Sequence, residues 1–209
     1  MELRSDNFEH GTTIPDRNAF GKPGDPVELS DNLSPHLAWK DAPAGTRSFV
    51  LTCIDLDVPS QGDDVNKKDR EVPSDLARVE FVHWLMANIP AECGELAEGS
   101  CSDGVTARGK REPVGPPGSV QGRNDYTGWF EGDADMAGEY RGYDGPCPPW
   151  NDSILHHYQF DLYALDTAAL DLAPGFTLEQ LRGALDGHVL AEATCTGTYT
   201  LNERLRTES

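Results

Sequence analysis

A small set of side chains in this sequence could hold a ligand still: Asp55 and Asp57, His83, and the run His156, His157 and Tyr158. The last three close the stretch Asp144–Tyr158, which opens Asp144-Gly145-Pro146-Cys147-Pro148-Pro149 with prolines that lack backbone donors and fix φ. That opening is therefore neither helix interior nor central strand. Gly145 lets the backbone approach a neighbour closely or take a positive φ. From His156 onward Tyr158, Phe160, Leu162 and Ala164 alternate as in a half-buried strand. Alternation places His156 and Tyr158 on the face that carries Phe160 and Leu162, with His157 on the face of Gln159 and Asp161. His156, not His157, is thus the candidate to share a pocket with Tyr158. The competing reading is a surface turn beside ordinary strand histidines, with His83 a hydrogen-bonded core residue.

Histidines and aspartates of this kind support three chemistries. Asp55, His83 and His156 could bind a metal, although they show no short ligand spacing. Cys147 with a histidine and Asp55 could form a nucleophilic triad. However, Pro148 follows Cys147 and offers no N–H for an oxyanion hole, and nothing marks a nucleophile elbow. The third chemistry is an anion pocket, in which imidazole N–H groups, the Tyr158 hydroxyl and loop N–H groups donate to phosphate or carboxylate. Asp55 would orient a histidine there or hydrogen-bond a protonated ligand oxygen. This use fits the donor-rich inventory best.

The elements that must position these groups are mainly strands. Ser48–Ile54 is apolar on both faces, as a buried central strand would be, and runs into Asp55-Leu56-Asp57-Val58-Pro59. Phe81–Ile89, which contains His83, is a second apolar strand, and Val189–Leu201 a third with Thr-rich alternation. Ser34–Trp39 reads as an extended lead into another. One helix is clear, about Thr177–Asp186: Thr177 and Gln180 form a capping box, Leu178, Leu181 and Leu185 share a face, and Gly187 stops it. Four or five strands to one helix predict a mainly β chain, a sandwich rather than a barrel. No repeat or low-complexity linker divides residues 1–209, so one domain is expected. Ser60–Arg78 reads as a long surface loop. Pro90–Tyr143 is rich in Gly, Pro and Asp with weak periodicity, and its acidic Glu131–Asp135 fits no EF-hand spacing.

Composition narrows the partners. The chain has 209 residues, 17 Lys+Arg and 36 Asp+Glu, for a net charge of −19. Such a surface repels phosphate backbones at long range and argues against nucleic acid and anionic membranes. Only 5 of the 17 basic residues are Lys; an acidic surface suited to high salt and an acidic mesophile protein both fit this balance. The first residues have no apolar core, and no run approaches the roughly 18 apolar residues of a membrane span. Five cysteines, an odd number without a Cys-x-x-Cys pair, suit a reducing compartment. A cytoplasmic protein is expected.

Taken in order, several segments resemble the phosphatidylethanolamine-binding protein family in its prokaryotic, Raf-kinase-inhibitor-like branch. Ser34-Pro35-His36-Leu37-Ala38-Trp39 with Ala42-Pro43-Ala44-Gly45-Thr46 is similar to the family's Ser-Pro-x-Leu-x-Trp and Pro-x-Gly-Thr. Asp55-Leu56-Asp57-Val58-Pro59 resembles its Asp-Pro-Asp-Ala-Pro box, and His83-Trp84 with Asn88-Ile89-Pro90 its His-Trp strand. Gly142–Pro149 and His156-His157-Tyr158 are similar to Gly-x-Gly-Pro-Cys-Pro-Pro and His-Arg-Tyr, and Gly187-His188-Val189-Leu190-Ala191 to the branch's closing segment. The resemblance spans about residues 30–201. It implies an antiparallel β-sandwich with a small ligand pocket formed by Asp55, His83, Gly145, Pro149, His156 and Tyr158, rimmed by Asp57 and Pro59. It further implies a non-catalytic protein without a cofactor that binds a phosphate or phospho-head group. Some members instead inhibit a kinase or serine protease by contact, and prokaryotic relatives often form homodimers. Leu56 and His157 depart from the family pattern, the second removing a permanent positive charge. Ser60–Arg78 and Thr127–Arg141 flank the pocket motifs as a lid, a partner surface or passive insertions.

Overall fold

The computed structural model describes residues 1–206. Its centre is a five-stranded antiparallel sheet built on four long strands, β5 (Ser48–Pro59), β6 (Arg78–Pro90), β9 (His156–Leu165) and β10 (Val189–Tyr199), with β10 at one edge and the short β8 (Val120–Gln121) at the other. The order β10-β9-β5-β6-β8 puts β5 in the middle. A second sheet of β1 (Glu2–Arg4), β4 (Leu37–Lys40) and β7 (Glu95–Leu96) packs over one face. Leu37, Trp39 and Leu96 from this sheet meet Phe49, Leu51, Phe160 and Leu162 in the main core. On the opposite face α2 (Leu178–Leu185) brings Leu181 against Val50, Leu85 and Leu165. The both-sided apolarity of Ser48–Ile54 follows from this layering: one face meets the small sheet, the other the helix. The fold is a β-sandwich, as its long strands predict.

The additional strands are short. β1, β2 (Gly21–Pro23) and β3 (Val27–Leu29) have 3 residues each, and β7 and β8 have 2. Such pieces are fixed by what they pair with and leave no periodicity to read. The same holds for α1 (Tyr126–Trp129), a single turn with Gly128 inside it and no side-chain cap. Among the described residues no helix is long and apolar enough to cross a membrane.

Two features prepare the site. First, β5 does not stop at Ile54; pairing with β6 shifts between Asp55 and Val58, and the Asp57 N–H donates to Asp55 Oδ1 at 2.8 Å. A bulge of this kind bends the strand and re-aims its side chains. Second, residues 60–77 are gathered around Asn151 of the proline-rich loop. Its Nδ2 lies 2.8–3.1 Å from the carbonyls of Asp64, Lys67 and Arg70. Its Oδ1 accepts from the Asn66 N–H at 2.9 Å. The buried Val72 bridges to Asp152 alongside. The expected long loop is thus anchored to the pocket loop by one buried amide.

Helix α2 begins with the predicted reciprocal cap: the Gln180 N–H donates to Thr177 Oγ1 at 3.3 Å, and the Thr177 N–H to Gln180 Oε1 at 2.8 Å. Gly187 takes φ +77° just beyond the helix, where a side chain would be strained. Replacing Thr177 by Ala is expected to cost about 1 kcal/mol, read as a lower urea midpoint with an unchanged slope.

Candidate functional site

The C-terminal end of β5 lies between the starts of β6 and β9, and this antiparallel crossing gathers the sequence candidates. Asp55 is the register partner of both Phe81 and Tyr158. Together with His83, His156 and Pro149 they line a cavity of about 240 Å³. Its mouth is apolar: Val58, Pro59, Phe81 and Pro148, joined by Val65 from the 60–77 segment and Trp129 from α1. Both long segments singled out in the sequence therefore border the cavity.

His83 is buried, and its Nδ1 lies 2.7 Å from the Asp144 carbonyl oxygen. A carbonyl only accepts, so Nδ1 carries the proton. Nε2 is left without a protein partner on the cavity wall. Burial holds the His83 pKa below its ordinary value although the Asp55 charge opposes this, so the ring is neutral at pH 7 and Nε2 is an acceptor. Tyr158, its ring 5.1 Å from that of His83, is fully buried and its hydroxyl has no hydrogen-bond partner. Burial, and then the neighbouring Asp55 charge, push that hydroxyl well above the ordinary tyrosine value, so it stays protonated and remains a donor. Asp55 is close enough to act on it by charge and as a distant acceptor, but no hydrogen bond of ordinary geometry joins them.

His156 is used differently. Fully buried, it places Nδ1 2.7 Å from Asp55 Oδ2 and Nε2 3.1 Å from Asp152 Oδ2. Burial pulls its pKa down, but the hydrogen bonds and charges of Asp152 and Asp55 outweigh burial and raise it to about 9. The ring is therefore an imidazolium between two carboxylates. Asp152 is in turn held by Arg78, through Nη1 to Oδ2 at 2.6 Å and Nη2 to Oδ1 at 3.1 Å. Arg78 also donates to the carbonyls of Asp57, Pro73 and Leu76. Asp55, His156, Asp152 and Arg78 thus form a chain of alternating charge that ties β5, β9 and the 60–77 segment together.

These contacts revise three sequence assignments. His156 shapes the wall but offers no free N–H to a ligand, because both nitrogens are engaged. Gly145 does not line the cavity: its N–H donates to Asn32 Oδ1 and its carbonyl accepts from the Tyr126 hydroxyl, each at 2.8 Å. A Cβ there would collide with the Asn18 carbonyl, so close backbone approach is what requires glycine. Asp57 does not line the cavity, since its Oδ2 accepts from the His157 N–H and faces His157 Nδ1. Pro59 and Pro149 are on the wall. Cys147 is there too, but burial pushes its thiol up to about 12, far from a nucleophilic thiolate. The sequence reading missed Asp152, Arg78, Phe81, Tyr126 and Trp129. Asp152 stands four residues before His156, but nothing local marks its pairing with Arg78, 74 positions away.

The charge chain gives a pH signature. A histidine at about 9 when folded and near 6.5 when unfolded stabilises fully below pH 6.5 and loses that contribution as pH rises through 9. The shift corresponds to about 3 kcal/mol. Urea unfolding should therefore show wild type weakening between pH 6.5 and 9, while His156→Gln, less stable at pH 6.5, is flat by comparison. Parallel pH dependence in the two proteins would refute a charged His156.

Comparison with known proteins agrees with this geometry. Residues 4–200 match the family described as phosphatidylethanolamine-binding protein. The chain is 32% identical over 200 residues to UPF0098 protein YbhB of Escherichia coli, covering 96% of this chain and 100% of that one. It is 35% identical over 199 residues to a UPF0098 protein of Methanothermobacter thermautotrophicus, covering 95% and 98%. The crystal structure of E. coli YbcL, described as a member of the mammalian PEBP family, superposes with TM-score 0.69 at 28% identity over 95% of this chain and 97% of that one. With its two-layered sandwich and a cavity at the ends of β5, β6 and β9, this chain belongs to the phosphatidylethanolamine-binding protein family.

Proposed function

We propose that the cavity binds, without catalysis, a small ligand through a singly protonated phosphate or a similar acidic head group. The observation that carries this reading is the pair of unmet hydrogen-bonding groups on its wall: the Tyr158 hydroxyl, a donor, and His83 Nε2, an acceptor. A head group that presents one unprotonated and one protonated oxygen satisfies both. A buried hydroxyl left unpaired costs about 1–3 kcal/mol, so such a ligand recovers what the free protein forgoes. No Lys or Arg lines the cavity and His156 is fully engaged. A fully ionised anion must therefore wait for His83 to protonate. The apolar lining at Val58, Phe81 and Trp129 suits a head group carrying an apolar substituent. A protein target such as a kinase or protease is a second reading, supported by Trp129, which is 53% exposed at the mouth.

The test is an NMR titration read at the His83 ring. Inorganic phosphate is expected to give saturable shifts at pH 7, and phosphoethanolamine, whose second pKa of about 6 leaves it mostly dianionic there, to bind more tightly as pH falls toward 6. Tyr158→Phe should weaken both by about tenfold, the loss of one buried hydrogen bond. Sulfate, which brings no proton, should bind more tightly as pH falls below the ordinary histidine value, because His83⁺ then supplies the donor. Absence of any shift at millimolar ligand across this pH range would sink the proposal.

A further inference from the structure

The opposite face of the central sheet carries a second, smaller cavity of about 170 Å³ where α2 leaves β5 and β9 uncovered. Thr52 lies on its wall, 2% exposed, with a hydroxyl that has no hydrogen-bond partner. Its register partner Asp161, 5% exposed, is also on the wall. The carboxylate of Asp161 accepts from Thr194 Oγ1 at 2.6 Å and Gln159 Nε2 at 2.8 Å, both neutral donors. Neither Asp161 nor the nearby Glu192 is in an ion pair among the described residues, while Arg182 is held by Glu80 at 2.8 Å. Burial, then the charges of Asp161 and Glu192, push the Tyr163 hydroxyl up to about 12 against the opposing charge of Arg182. The rest of the wall joins an apolar side, Ile54, Leu178 and Leu185, to a polar one that includes the Glu80–Arg182 ion pair and Glu192.

From this juxtaposition we infer that the cavity between α2 and the sheet is a second ligand site, which takes a short primary alkylammonium ion. The ammonium N–H groups donate to the Asp161 carboxylate and to Thr52 Oγ1, and the alkyl chain lies against Ile54 and the α2 leucines. A ligand without charge leaves Asp161 uncompensated, and an anion is repelled by it. Among the described residues no three ligating side chains converge here, so a bare metal ion would lack the oxygen ligands it needs. The site is independent of the anion cavity: Thr52 and Ile54 point to the α2 face of β5, whereas Cys53 and Asp55 point to the other.

The probe is n-butylammonium, titrated into the full chain with the α2 leucine methyls and the Tyr163 ring as reporters, and n-butanol as the uncharged control. Saturable shifts are expected in wild type with butylammonium and not with butanol. Asp161→Asn keeps the shape and an acceptor for Thr194 but removes the charge, and should weaken binding by about tenfold or more. Thr52→Val, which deletes only the unpaired hydroxyl, should weaken binding while leaving the fold at least as stable, and covers the case in which the Asp161 variant does not fold. The His83 response to phosphate should be the same in both variants. The proposal is overturned by the absence of saturation, by equal binding of butanol, or by unchanged affinity in both variants.

Discussion

The site rests on one buried ion, the imidazolium of His156 between Asp55 and Asp152. Taking a charge out of water costs several kcal/mol unless partners surround it, and here the partners come from separate elements: Asp55 from the end of β5, Asp152 from the proline-rich loop. Arg78 at the start of β6 closes the far end. Four charged groups cancel in pairs, so the arrangement holds only when all of them are in place. This cooperativity keeps the bulge of β5, the loop and the 60–77 segment in one arrangement, and through it the cavity wall. His156 is therefore a structural charge, while the adjacent and weakly basic His83 is left free to meet a ligand.

Much of this was legible in the sequence because it leaves local traces. The both-sided run Ser48–Ile54, the alternation after His156 and the Thr177–Gln180 box each report a physical requirement within a few residues of itself. The face shared by His156 and Tyr158 was read correctly for that reason, and so was the exclusion of His157, which pairs with Asp57 outside the cavity. What His156 does on that face was not legible. Its charge depends on Asp152, and the charge of Asp152 on Arg78, a pairing no local pattern encodes. Gly145 shows the converse: the need for glycine was evident, but the carbonyl of Asn18 that imposes it comes from 127 positions earlier in the chain. Tyr126 and Trp129 sit in a Gly- and Asp-rich segment without period, where only tertiary packing distinguishes a cavity wall from a surface turn.

The two faces of β5 solve related problems with opposite signs. One ends at an uncharged donor and acceptor, Tyr158 and His83; the other carries a half-satisfied hydroxyl and carboxylate pair, Thr52 and Asp161. Neither cavity has a free fixed cation. In a chain with net charge −19, a basic residue at the first cavity would be drawn into a pair with a nearby carboxylate, as Arg78, Arg182 and Lys110 are. A neutral pair, one donor and one acceptor, cannot be neutralised in this way. It also selects by protonation state instead of by charge alone.

That selection bears on how an acidic protein holds an acidic ligand. Long-range repulsion from the surface slows the approach of any anion, but it is screened beyond about 8 Å at physiological ionic strength and over shorter distances in stronger salt. Inside the cavity the field of the surface is replaced by that of its wall, where the alternating charges of the buried chain largely cancel. Under the proposed function, binding there would depend on matching two hydrogen bonds, and a hydrogen bond is scarcely affected by bulk ions. An acidic surface and a pocket for a singly protonated anion are therefore compatible, and the compatibility improves as salt rises. His157, where the family pattern has an arginine, fits the same logic, because the proposed function asks for no permanent positive charge.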